Sequence, residues 1–139
     1  MVQHRLSRET RTLVCPQGMV SPQGLLTFIH FNCFTAEWKR LGLSDDDLRA
    51  LETLIMISPT RFPVMSGTGG LRKCRFVPRR WNTGKSGALR IGYVYMEQYS
   101  VVGLIVVYAK NDKANIAPKE RQVIKDLLDR FKLFVENGG

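Results

Sequence analysis

The spacing of apolar positions changes period several times along the chain, and each change marks an element. Residues 1–24 are polar, punctuated by Pro16, Gly18, Pro22 and Gly24, and carry no periodicity. Such a segment is expected to be a flexible extension, with order beginning at Leu25. The run Leu25-Leu26-Thr27-Phe28-Ile29-His30-Phe31 is β-branched and aromatic, which predicts a strand. A short helix is expected from a Thr35 cap to Leu41, with Trp38 and Leu41 on one face and Gly42 ending it. A second helix follows from Ser44, where Ser44-x-x-Asp47 forms a variant capping box and Asp45, Asp46 and Asp47 suit the positive end of the helix dipole. Leu48, Leu51, Leu54 and Ile55 recur at helical spacing, and Ser58-Pro59 stops the element.

After Gly67 the period turns to that of strands. These are predicted at Leu71–Phe76, Ala88–Met96 and Val101–Ala109, separated by a polar loop from Pro78 to Gly87 and a hairpin turn near Glu97–Ser100. The third is the most apolar and should be central. A last helix from Pro118 to about Val135 has Val123, Ile124, Leu127, Leu128, Phe131, Phe134 and Val135 along one face. The expected order is β-α-α-β-β-β-α over residues 25–136. An α+β fold follows, an antiparallel sheet with helices packed on one face.

With 139 residues the chain is one domain's worth, and a 44% hydrophobic content supplies a single core. The longest apolar run, Val101 to Tyr108, falls far short of the ~20 residues of a membrane-spanning helix. Arg5, Arg8 and Arg11 are not followed by an apolar signal region, so a cytoplasmic location is expected. Met19 is an alternative start. Cys15, Cys33 and Cys74 lack CxxC spacing, and Cys33 and Cys74 read as buried thiols. His30 reads as a strand residue rather than a metal ligand.

Charge changes the picture more. Lys and Arg number 21 against 12 Asp and Glu, a net +9 that calls for a polyanionic partner. From Thr53 to Met96 there is no acidic residue, while Arg61, Arg72, Lys73, Arg75, Arg79, Arg80, Lys85 and Arg90 all fall there. Gly67-Thr68-Gly69-Gly70 lacks a P-loop ending and precedes a strand, so it reads as a tight turn. In the strand that follows, alternation places Lys73 and Arg75 on one face and Arg72 and Cys74 on the other. Arg90 and Tyr93 belong to a neighbouring strand, and Lys110 ends the third. Cations among aromatics suit RNA, whose phosphates they neutralise and whose 2′-hydroxyl is an internal nucleophile. A crowded lysine has a lowered pKa and can take a proton-transfer role. No carboxylate cluster of metal-ligand spacing is present, which argues against two-metal hydrolysis.

Three segments resemble one family. Gly67-Thr68-Gly69-Gly70-Leu71-Arg72-Lys73-x-Arg75, then Gly84-Lys85-Ser86-Gly87-x-x-Arg90-x-x-Tyr93, then Tyr108-Ala109-Lys110-Asn111 are similar to type II toxin–antitoxin toxins of the RelE/ParE superfamily, HigB-like branch. The resemblance runs from about Phe28 to Phe131. It implies a curved antiparallel sheet and a metal-independent, ribosome-dependent endoribonuclease (an mRNA interferase) that cuts mRNA in the ribosomal A site. It further implies a cognate antitoxin, often with a helix-turn-helix domain, and no cofactor. The implied catalytic set is Lys73, Arg75, Arg90 and Lys110, with Arg72, Lys85 and Tyr93 at recurrent family positions on the RNA; Arg79 and Arg80, in a loop that departs from the family pattern, are also expected to bind RNA. Arg90 is expected to bind the phosphate, and Lys73 and Lys110 to move protons. Two other readings stay open: a ParE-like toxin that binds DNA gyrase, and an inactive nucleic-acid-binding relative.

Overall fold

The computed structural model describes residues 10–12, 26–79, 81, 88–109 and 116–138. In chain order the elements are β1 Thr10–Thr12, β2 Thr27–His30, α1 Asn32–Arg40, α2 Asp45–Ile57, β3 Arg72–Phe76, β4 Leu89–Met96, β5 Val101–Ala109 and α3 Pro118–Glu136. Strands β2 to β5 make the body of a mixed sheet in an α+β fold, and β1 extends its edge, in the order β1-β2-β5-β4-β3. The apolar strand β5 is central, as its composition predicts. Among the described residues no helix is long and apolar enough to cross a membrane.

The all-antiparallel expectation is corrected at one seam. β2 runs parallel to β5, with Phe28 beside Val102 and His30 beside Leu104. The chain between them includes α1, α2, β3 and β4, ample length for the crossover that parallel neighbours need. β1, three residues of the expected N-terminal extension, pairs antiparallel with β2. An edge strand's open N–H and C=O groups accept any extended segment.

The placement of all helices on one face is also corrected. Gly103 lies opposite Val94, and a Cβ at Gly103 would sit 2.7 Å from Phe131 of α3. On the opposite face Trp38 of α1 stacks on Phe76 at 6.3 Å, and Glu52 of α2 lies 2.6 Å from His30. The sheet is therefore sandwiched, because β2, β4 and β5 bury apolar side chains on both sides.

Local signals explain the helix ends well. In α2 the Asp47 N–H donates to Ser44 Oγ at 3.1 Å, and the Ser44 N–H donates to Asp47 Oδ2 at 2.8 Å, the reciprocal box that the sequence predicts. Ser44→Ala should cost about 1 kcal/mol in a denaturant titration, since the Asp47 N–H loses its ordered acceptor. α1 starts at Asn32, earlier than its expected Thr35 cap. Its first turn has no side-chain cap and is held instead by burial of Phe31 and Phe34.

Candidate nucleic-acid interface

The glycine segment determines how α3 meets the sheet. Gly67, Gly69 and Gly70 have φ of 75°, 78° and 121°, which only glycine adopts without strain, so the tight-turn reading holds. Thr68 is buried, donates to the Met65 carbonyl at 2.6 Å and accepts from the Leu71 N–H at 3.0 Å. The loop's carbonyls then receive α3: Arg121 Nη1 donates to Ser66 O at 3.0 Å and Lys132 Nζ to Gly69 O at 2.8 Å.

Beside this junction the cations converge. In register, Arg75 lies opposite Arg90, which lies opposite Tyr108, while Lys73 lies opposite Gly92, which lies opposite Val106. Directly opposed residues on neighbouring antiparallel strands share a face with Cα atoms ~4.5–5.5 Å apart. Tyr108 joins this row because of a β-bulge. Gly92 pairs with Val106 but Tyr93 pairs with Leu104, so Ile105 is an extra residue in β5. Without it, alternation from Gly103 would turn Tyr108 to the face of α1 and α2.

Electrostatics reports the same assembly. Burial pushes the Lys73 ammonium below its usual 10.5, and the guanidinium groups of Arg90, Arg75 and Arg121 lower it further. Burial pushes the Tyr108 phenol up; among its charged neighbours Arg90 and Arg121 oppose the shift and Glu120 adds to it. Arg90 is only 4% exposed. Its Nη1 donates to Ala88 O at 2.7 Å, and its buried Nε has no hydrogen-bond partner among the described residues. Arg121 is half-buried, with its Nε donating to Ile116 O at 3.2 Å. Burying cations beside cations opposes folding and favours an anionic ligand. No known protein-family model matches the chain.

The structure thus brings together Lys73, Arg75 and Arg90, and adds Tyr108 and Arg121. Nothing in the local sequence distinguishes Arg121 from Lys119, Lys125 or Arg130; only the docking of α3 selects it. Tyr108 stands in one of the recognised segments, but its face is set by the bulge. Lys110, Arg80 and Lys85 lie outside the described residues. Arg79 is exposed, past the end of β3.

Arg72 and Tyr93, expected on RNA, lie on the face opposite Lys73 and Arg75. Arg72 Nη1 donates to Phe62 O at 2.6 Å and Thr60 O at 3.1 Å. Tyr93 is fully buried, its hydroxyl donates to Pro59 O at 2.6 Å, and burial drives its pKa far up. Both hold the segment after α2 against the sheet, because alternation turns them away from Lys73 and Arg75. Cys74 is buried and its thiol is pushed up to about 12 by desolvation. Cys33, expected to be buried, is exposed on α1, although its Sγ donates to Ile105 O at 3.4 Å. Cys15 lies outside the described residues. His30 is the strand residue predicted, and its Nε2 meets the buried carboxylate of Glu52 on α2.

Proposed function

We propose that the chain is the toxin of a type II toxin–antitoxin pair, a metal-independent endoribonuclease that cuts mRNA on the ribosome and is silenced by a cognate antitoxin. The observation that carries this reading is the row of Lys73, Arg75 and Arg90 on one face with Arg121 of α3 near it, and Lys73 depressed by burial and by these cations. Bound there, a scissile phosphate takes two parallel hydrogen bonds from the Arg90 guanidinium. Neutral Lys73 accepts the proton of the 2′-hydroxyl as its oxygen bonds to phosphorus. Arg75 and Arg121 stabilise the charge of the phosphorane. The bond to the 5′-oxygen breaks as that oxygen gains a proton, with Lys110 as the donor, leaving a 2′,3′-cyclic phosphate.

A base must be unprotonated, so the sign of the pH dependence follows. Cleavage should rise with pH and level off as pH passes the depressed pKa of Lys73, below its usual 10.5. Lys73→Arg keeps the charge but cannot accept the proton, and should lose roughly 10²-fold in rate, as should Lys73→Ala. The defining experiment is induced expression followed by mapping of cut sites. Cuts within translated codons support the nuclease. Gyrase-dependent DNA damage with intact mRNA would replace it with the gyrase-binding reading.

A further inference from the structure

The row of cations ends at Tyr108, and Tyr108 also forms the end wall of a separate groove. β2 pairs with β5 only as far as Leu104, while β5 continues to Ala109. Past that point α1 flanks the strand in place of β2. Between them lies an open cavity of about 410 Å³, with Val106 and Tyr108 on one side and Cys33, Glu37 and Arg40 on the other. We propose that this groove receives one unstacked base of single-stranded RNA, next to the phosphate held at Arg75 and Arg90. It is then the element that makes binding depend on bases as well as on charge. This inference rests on the nucleic-acid reading of the basic row.

Three observations carry it. First, the groove and the row are continuous. Tyr108 is opposite Arg90 across the sheet, and Val106 is two residues away on the same face, a separation of about 7 Å that one nucleotide can span. Second, the chemistry is graded as a base requires. A base is apolar on its faces and polar along its edge. Val106, Cys33 and Tyr108 offer the apolar surface, while the carboxylate of Glu37 and the guanidinium of Arg40, joined by hydrogen bonds from Nε at 2.9 Å and from Nη2, set acceptor and donor side by side. Third, the size suits the guest. The volume falls within the range of small-ligand sites, and the opening to solvent leaves a path for the rest of the strand.

The test compares two probes on the full-length protein: a short oligoribonucleotide, and an abasic ribose-phosphate oligomer of equal length and charge. The expected result is salt-dependent binding of both, with the base-bearing strand about 10-fold tighter. Cys33→Trp, which fills the groove from an exposed helix position, should abolish that preference and leave abasic binding unchanged. Alkylation of Cys33 in the unaltered protein, read on its own peptide by mass, should be slowed by the base-bearing strand and not by the abasic one. Equal, salt-dependent binding of the two probes would overturn the base groove while the basic row stands. No salt-dependent binding of either would overturn both. Labelling of Cys33 that slows with protein concentration alone would assign the groove to a second copy of the chain, and would also overturn the proposal.

Discussion

Arg90→Met should abolish RNA cleavage and raise the melting temperature in the same molecule. Arg90 is buried, its Nη1 donates to Ala88 O, and it lies among cations that also depress Lys73. Replacing a buried charge by an apolar side chain of similar length is neutral to stabilising, here by about 1 kcal/mol. For a domain of this size that is a rise of about 4 °C. The same change removes the guanidinium proposed to bind the scissile phosphate through two hydrogen bonds, so a loss of 10²-fold or more is expected in cleavage. Calorimetry and a cleavage assay on one preparation decide the matter. A variant that stays active, or that melts well below the parent, would show that Arg90 is structural.

Gly103→Val should strongly destabilise the sheet. A Cβ at this position would meet Phe131 Cε2 at 2.7 Å, Phe131 Cζ at 3.0 Å and Val94 Cγ1 at 3.2 Å. Neither neighbour can yield easily, since Phe131 is fully buried and also packs edge-on against Phe31 with centroids 5.1 Å apart. Overpacking here should cost about 3 kcal/mol. The damage also reaches the site, because Phe131 and Arg121 ride on the same helix. A second substitution, Phe131→Leu, should recover part of the loss, and a double-mutant cycle in urea measures how much. A Gly103→Val protein as stable as the parent would mean that α3 is not seated on β5.

Much of the fold is legible in the sequence because its signals are local. The Ser44/Asp47 box acts across three residues, and both its hydrogen bonds form. The length and apolar character of Val101–Ala109 place it at the centre of the sheet, where both faces are covered. Lys73 and Arg75 share a face because alternation within a short strand cannot be undone without a bulge. The same rule separates Arg72 and Tyr93 from them, although family likeness grouped these two with the RNA-binding residues. Where likeness and alternation disagree, the hydrogen bonds to Phe62 O and Pro59 O side with alternation.

By itself, then, the sequence determined the order of elements from β2 to α3, the central strand, the α2 cap and the glycine turn, and a 44-residue stretch free of acids that holds most of the net positive charge. Each of these depends on residues a few positions apart. Only the tertiary structure decided that β2 lies parallel to β5, that α3 covers the face opposite α1 and α2, and that the bulge at Ile105 turns Tyr108 toward Arg90. It alone joined Arg121 to the site through Ser66, 55 residues away in the chain. The physical reason is that these choices are settled by packing between distant segments. Seating Phe131 over Gly103 and closing the register between β4 and β5 are gains that no local window contains.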